Sequence, residues 1–466
     1  MIQDTIIAVA TPPGEGAIGI VRLSGPDAIR LIDPFFPSRE LLKATPRRAY
    51  FGALLDPTGE AIDEVVVTTY RAPASYTGED AVEISCHGSP FILQRILQLG
   101  GDAGARPAGP GEFSQRAFLN GKLDLSQAEA VADLIASRSA AAHRIALGQL
   151  RGGVSNEITE LRTKLIDFAS LIELELDFGE EDVEFADRRQ LSDLVARIRK
   201  RIEDLTTSFR LGNAIKEGVS TVIAGRPNAG KSTLLNALLN EDRAIVSDIP
   251  GTTRDTIEEA VNIGGIHFRL VDTAGIRDAS DAIEAMGVAR TLQQVAVGHL
   301  LVYVFDVVET DPATLAADLD RLYREDLELV VVANKMDLNP YTKYDHYFGQ
   351  DYAGKWTVPP ERFIPMIASE RSNLQYLRDT LLDTVTEGRG GIDAQEVILS
   401  NARHYDALRR ADLSLERVAK GLETGLSQDF IAMDIRQSLR DLAEITGEIS
   451  TDDLLSNIFS NFCIGK

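Results

Sequence analysis

Gly225-Arg226-Pro227-Asn228-Ala229-Gly230-Lys231-Ser232 fits the pattern G-x-x-x-x-G-K-[ST], and its flanks decide how it is read. Upstream, Val219-Ser220-Thr221-Val222-Ile223-Ala224 has the composition of a buried strand. Downstream, Thr233-Leu234-Leu235-Asn236-Ala237-Leu238-Leu239 has that of a helix. A loop between a strand and a helix turns backbone N–H groups and a helix N-terminus toward a phosphate chain. Lys231 then reaches the outer phosphates, and the Ser232 hydroxyl is free to ligate Mg2+.

The chain downstream supplies the other parts of such a site in order. Gly251-Thr252-Thr253-Arg254-Asp255 precedes a predicted strand at Ala260-Val261-Asn262-Ile263, and Gly264-Gly265 turns into a second at Phe268-Arg269-Leu270-Val271. That strand delivers Asp272-Thr273-Ala274-Gly275. Asp272 is placed to hold Mg2+ through water, the Gly275 N–H to sense a γ-phosphate, and Thr253 to complete the Mg2+ shell. Two apolar strands, Leu301 to Asp306 and Leu329 to Ala333, follow, the second leading into Asn334-Lys335-Met336-Asp337. A carboxylate at Asp337 accepts two hydrogen bonds from the N1–H and N2 amino group of guanine, which adenine cannot match, so the expected ligand is GTP. The base-binding loop is expected at Ile367-Ala368-Ser369-Glu370, with its usual Ser-Ala order inverted. Ile276 stands where Ras-type enzymes place a water-orienting Gln. Another group must position water, and Asp278, Asp281 and Glu284 are at hand; the charge of an arginine finger must come from Arg254, Arg277, a partner or a metal cation.

Length and composition bound the rest. A chain of 466 residues has room for about three domains. A formal charge of −23 argues against a surface that is a nucleic-acid glove throughout, though not against a local basic patch. Two cysteines, Cys86 and Cys463, cannot make a disulfide framework and fit a reducing cytosol. Neither a membrane span nor a secretion leader is expected, and the C-terminal Cys463-Ile464-Gly465-Lys466 is not a usual prenylation pattern.

Residues 1–118 read as an α+β domain. Gly14-Glu15-Gly16-Ala17-Ile18-Gly19 matches a dinucleotide fingerprint, but the β-branched run that follows predicts a strand where that fingerprint needs a helix. A short helix is expected from Asp27 to Asp33, a hairpin from Tyr50–Leu55 and Glu64–Tyr70 around Asp56-Pro57-Thr58-Gly59, a strand over Ala81–His87 and a helix over Phe91–Leu99. On spacing alone Arg22 and Glu83 read as solvated charges, and Cys86 as a buried structural thiol. From Leu123 the pattern is helical, with Ser126 as the expected N-cap and Glu129 three residues on. Further helices are expected over Ile158–Leu176, Gln190–Leu211, Gln395–Leu422 and Phe430–Leu442, and the acidic run Glu173–Asp187 reads as a solvated loop. The expected organisation is an N-terminal domain (1–118), a discontinuous α-helical bundle (119–216 and 385–466) and a Ras-like α/β P-loop domain (217–384) inserted in it.

The asparagine of GRPNAGKS, the GTTRD loop and the end Phe462-Cys463-Ile464-Gly465-Lys466 coincide with that split helical domain. Together with VRLSG, YTGEDAVEISCHG and RAFLNGKLDLSQAEAV in the first third, they make the chain closely resemble the tRNA-modification GTPase MnmE (TrmE) family over its whole length. The resemblance implies that the first domain dimerises and binds a tetrahydrofolate one-carbon donor, a 5,10-methylene or 5-formyl derivative. It also implies work with the flavoprotein MnmG, in a heterotetramer, adding an aminomethyl-type (carboxymethylaminomethyl) group to C5 of the wobble uridine of certain tRNAs. Carried over by position, Asn228 ligates K+ with oxygens from Ser247, Ile249 and Thr252, and this cation stands in for the arginine finger. Glu284 orients the water. Arg22, Glu83 and Lys122, with Lys466 more loosely, match the folate site, and Cys463 matches the functionally important C-terminal cysteine.

The nucleotide site so assembled comprises Asn228, Ala229, Gly230, Lys231, Ser232, Thr233, Ser247, Asp248, Ile249, Pro250, Gly251, Thr252, Thr253, Asp272, Thr273, Ala274, Gly275, Asn334, Lys335, Asp337, Ala368 and Ser369. The implied protein is cytoplasmic, and its G domains pair in a K+-dependent way within a homodimer. The competing reading is a GTPase switch or assembly factor for RNA or ribosomes, without one-carbon chemistry.

Overall fold

A computed structural model describes residues 4–177, 188–241, 258–272, 298–324, 327–349, 356–386, 397–460 and 462–465. The chain forms two compact units: residues 1–132, 149–196 and 410–466 in one, 133–148 and 197–409 in the other.

The first unit contains a six-stranded sheet. Its strands are β1 (Ile6–Val9), β2 (Gly16–Ser24), β3 (Ala49–Leu55), β4 (Ala61–Tyr70), β5 (Ala81–Gly88) and β6 (Arg106–Pro107), in the spatial order β3-β4-β5-β2-β1-β6. β2 is a strand from Gly16 onward, so the Gly-rich run before it opens no helix and the dinucleotide reading stays rejected. Alternation puts Val21, Leu23, Val65, Val67, Val82 and Ile84 on one face, where Leu93, Ile96 and Leu99 of the helix Pro90–Asp102 cover them. The β3–β4 turn is set by Asp56, whose Oδ1 accepts from the Thr58 and Glu60 N–H groups at 2.9 and 3.1 Å. Cys86 is buried and bonded to the Gly19 carbonyl, as its alternation predicts.

The helical part of the first unit packs Gly153–Asp177 against Gln428–Thr446. Arg417 pairs with Asp434 at 2.7 Å, and Arg410 with Asp441 and Glu444 at 3.3 and 2.6 Å, holding Gln428–Thr446 to the end of Ala402–Thr424. Several expectations are corrected here. The cap before Leu125 is Asp124, not Ser126: its Oδ1 accepts from the Gln127 N–H at 2.8 Å and the Gln127 Oε1 accepts from the Asp124 N–H at 3.0 Å. Ser126 lies one residue inside the helix, buried. The helical run from Leu123 is two helices, Leu125–Ala136 and Ala140–Leu150, the second opened by Ser139, whose Oγ accepts from the Ala142 N–H. The helices Glu112–Leu119 and Asp452–Ser460 are additional. The acidic run is helical as far as Asp177; residues 178–187 lie outside the described ones. Residues 397–401 are not helical: the Leu399 N–H donates to the Ser208 hydroxyl, and the helix begins at Ala402.

The second unit holds the other sheet: β7 (Val219–Ala224), β8 (Glu258–Ile263), β9 (Ile266–Asp272), β10 (Leu300–Asp306), β11 (Glu328–Asn334) and β12 (Phe363–Pro365), ordered β12-β11-β10-β7-β9-β8. All neighbours are parallel except β8 with β9. A parallel sheet is buried on both faces, which is why β7, β10 and β11 are nearly unbroken apolar runs. Helices Lys231–Glu241 and Leu374–Thr386 cover one face, and Pro312–Leu322 covers the other through Leu315 and Leu319. In such a sheet ligands bind beyond the carboxyl ends of the strands.

Candidate functional site: the phosphate loop, the base loops and a charged pair in the N-terminal sheet

β7 is followed by Gly225, whose φ is +149°, and a Cβ there would stand 2.0 Å from the Val304 carbonyl oxygen of β10. Only glycine passes. At Gly230 (φ +98°) a Cβ would meet Asn334 Nδ2 at 2.1 Å. Between them Asn228 takes the left-handed conformation, φ +61°, with its side chain exposed. Lys231 is buried at the start of Lys231–Glu241, and its Nζ donates to the Gly225 and Arg226 carbonyls at 2.9 and 2.8 Å. Ser232 and Thr233 follow, exposed, in the first turn. This is a glycine-lined cradle at a helix N-terminus with an ammonium at its centre, the electrostatics an anionic phosphate chain requires.

Asn334, at the end of β11, joins the phosphate loop to the base loops. Its Nδ2 donates to the Ala229 carbonyl at 2.8 Å, and its Oδ1 accepts from the Ala368 N–H at 2.9 Å. Lys335 (φ +65°) turns the chain and pairs with Asp306 at 2.6 Å. Burial pushes the Asp306 carboxyl up, but Lys335 and the Val308 N–H outweigh it and hold the group below its ordinary value. Asp337 is exposed in the loop that follows. The inverted order in Ile367-Ala368-Ser369 has a structural counterpart: the Ala368 N–H is engaged by Asn334, so the next amide of the turn is that of Ser369.

Asp272 ends β9. Ser247, Asp248, Ile249, Pro250, Gly251, Thr252, Thr253, Thr273, Ala274, Gly275, Glu284 and Lys466 lie outside the described residues, as do Arg254, Ile276, Arg277, Asp278 and Asp281.

The N-terminal sheet corrects the spacing-based view of Arg22 and Glu83. They are directly opposed on β2 and β5 and form an ion pair at 2.7 Å, each side chain about one quarter exposed (25% and 26%). Glu83 Oε2 also accepts from the Tyr70 hydroxyl at 3.1 Å, while the Arg22 guanidinium lies 5.8 and 5.7 Å from the Tyr76 and Phe113 ring centroids. Lys122 is exposed, its Nζ donating to the Pro73 carbonyl at 3.1 Å, and its stem borders Gly78. The C-terminal tail is pinned to the same sheet. Ile464 bridges to Pro110, the Gly111 N–H donates to the Cys463 carbonyl at 3.3 Å, and a Cβ on Gly465 would stand 2.2 Å from the Val9 carbonyl oxygen. Cys463 is exposed. Tyr70, Tyr76 and Phe113 have no spacing that betrays them; they come from a strand, the loop after it and a helix some way further along the chain.

Glycine cradle, buried lysine and N-K-x-D loop at the carboxyl ends of a parallel sheet define a P-loop GTPase, carried in a chain with an α+β N-terminal domain and a helical domain. The comparisons give the family. The MnmE helical domain matches residues 125–463 and the N-terminus of GTP-binding protein TrmE matches residues 5–122. The chain is 50% identical to the tRNA modification GTPase MnmE of Cytophaga hutchinsonii over 99% of its own length and 98% of that protein's. It is 47% and 49% identical to proteins of the same name from Christiangramia forsetii and Bacteroides fragilis, each covered completely. A GTP-binding protein from Sulfolobus solfataricus solved with GDP is 22% identical, covering 49% of this chain and 67% of that one at a TM-score of 0.28. This chain belongs to the tRNA modification GTPase MnmE family. No helix among the described residues is long and apolar enough to cross a membrane.

Proposed function

We propose that this chain is a K+-dependent GTPase that, with an MnmG-type flavoprotein, adds an aminomethyl-type group to C5 of the wobble uridine of certain tRNAs, using a tetrahydrofolate one-carbon donor. The observation that carries this over the assembly-factor reading is the Arg22–Glu83 pair. It is a partly buried ion pair with an aromatic surround, in a unit that does not contain the phosphate loop.

Ser232 offers its hydroxyl to Mg2+ beside the phosphates, with Thr253 and, through water, Asp272 completing the shell. Asn228, exposed on a left-handed turn of the phosphate loop, offers its side-chain oxygen to K+, and Ser247, Ile249 and Thr252 are proposed to supply the other oxygens. When bound, K+ supplies the positive charge that an arginine finger would give the transition state. Lys231 neutralises charge on the outer phosphates, Asp337 selects guanine, the Ser369 amide faces the base oxygen, and Glu284 orients water in place of the missing Gln. In the first domain Arg22, Glu83 and Lys122, with Lys466, hold the folate. Cys463 is the functionally important cysteine of the C-terminal tail, and its carbonyl accepts from the Gly111 N–H.

We take the chain as four segments, 1–118, 119–216, 217–384 and 385–466, in a cytoplasmic homodimer joined through its N-terminal domains, with G domains that pair in the presence of K+ and an acidic surface that shares tRNA binding with the flavoprotein. The test is equilibrium binding of 5-formyltetrahydrofolate to the full chain and to Glu83→Ala. Saturable binding that weakens at least tenfold in the variant supports the proposal. Absence of binding by the wild-type chain favours the assembly factor.

A further inference from the structure

Arg226 is part of the phosphate loop, yet its side chain is held from outside that loop. Nε donates to Asp318 Oδ2 at 2.7 Å and Nη2 to Asp318 Oδ1 at 3.3 Å. Asp318 stands on the helix Pro312–Leu322 with its side chain only 16% exposed, and its Oδ2 also accepts from the Tyr303 hydroxyl at 2.7 Å. Tyr303 is a β10 residue, 2% exposed. Burial, together with the Asp318 carboxylate, pushes its phenol well above the ordinary value, so it stays a donor at any working pH. At the other end, the Arg226 carbonyl accepts from Lys231 Nζ at 2.8 Å and from the Ala229 N–H at 3.3 Å. A chain of polar contacts therefore runs from the buried face of β10, through a surface helix, to the lysine that meets the phosphates.

We propose that Asp318 is a positioning residue for nucleotide binding: its carboxylate, oriented by Tyr303, clamps Arg226 and so holds the phosphate loop and Lys231 in their nucleotide-ready form. An exposed Arg–carboxylate pair ordinarily contributes little. This one differs because it is two-pronged, its carboxylate is mostly buried, and that carboxylate also satisfies the hydroxyl of Tyr303, a residue 2% exposed. The phosphate loop contacts GTP and GDP alike, so loss of the clamp weakens binding of both and shows in binding more than in turnover.

The experiment measures dissociation of a fluorescent GDP analogue from the full chain, together with kcat and KM for GTP, in Asp318→Ala, Arg226→Met, the double variant and Tyr303→Phe. The expected result is an increase of about tenfold in off-rate and in KM for each of the first two, with kcat changed less than twofold. The double variant should be no weaker than the worse single by more than about twofold, as residues acting through one contact require. Tyr303→Phe should move the same quantities in the same direction by less. An off-rate within twofold of wild type in Asp318→Ala, or a double variant equal to the product of the singles, overturns the proposal. Should Asp318→Ala not fold, Arg226→Met decides alone, since its side chain is 54% exposed and lies outside the core; an unchanged off-rate there overturns the proposal equally.

Discussion

Asp337 is the residue on which the identity of the ligand turns. Its carboxylate is exposed, with its place set by the left-handed Lys335 and by Asn334 anchored at both ends. Two hydrogen bonds from guanine to one carboxylate amount to several kcal/mol in a protected site, roughly 1.5–3 kcal/mol each. Asp337→Asn presents an amide that matches xanthine instead. In competition binding, its affinity for GTP is expected to fall about 100-fold while xanthosine triphosphate becomes the preferred ligand; GTP affinity equal to wild type would remove the assignment. This residue was legible because its chemistry sits within four consecutive positions. The same holds for Gly225, Gly230 and Lys231. Asp318 was not legible, for its partners Arg226 and Tyr303 are distant in the chain and an Asp in the middle of an amphipathic helix resembles any surface charge. Arg22 and Glu83 were misjudged on spacing for the same reason: only strand register makes them neighbours.

The helix Glu112–Leu119 shows how an element can hide from periodicity and still anchor a site. It is eight residues long and opens on Gly111 in the left-handed conformation, φ +64°, after a Gly/Pro-rich link. Its place is fixed by charge. Arg116, 1% exposed, bonds to Glu112 at 2.9 Å and to Asp4 at 2.7 Å, while Arg106 bonds to Glu112 at 2.6 Å. Burial pushes the Glu112 carboxyl up, but bonds from Arg106, the Gly109 N–H and Arg116 outweigh it and hold the group below its usual value. A carboxyl depressed in the folded state stabilises fully above its unfolded value, 4.5, and the contribution is lost as pH falls through the folded one. Removing one member of such a cluster costs about 3 kcal/mol. Calorimetry at pH 7 should therefore show Glu112→Gln melting well below wild type, with the gap narrowing as pH falls below 4.5. A gap independent of pH would show that Glu112 contributes packing rather than charge. The cap tells a similar story: S-x-x-E at Ser126 reads as a cap in sequence, but Ser126 is buried inside the helix and the reciprocal bonds are those of Asp124 and Gln127.

For the molecule as a whole, the sequence yielded the nucleotide-binding sheet except its short edge strand β12, because β7, β10 and β11 are continuous apolar runs that end in recognisable loops, whereas Phe363–Pro365 is three residues long. It yielded the helical domain less well. Amphipathic helices announce a buried face without naming its partner, so the break at residues 137–139 and the closing helix Asp452–Ser460 appeared only with the structure. Each unit carries its own chemistry: a phosphate cradle in one, and in the other a charged pair with the C-terminal tail pinned to the same sheet. A GTPase without the Ras-type glutamine or an evident arginine finger needs its positive charge from elsewhere, and the proposed function puts it on a K+ held by Asn228. The central claim is therefore tested most directly by GTP turnover of the purified chain in KCl and in NaCl at equal ionic strength, with Asn228→Ala alongside. Strong activation by K+, at least tenfold, that Asn228→Ala abolishes is expected. Equal rates in the two salts would contradict it.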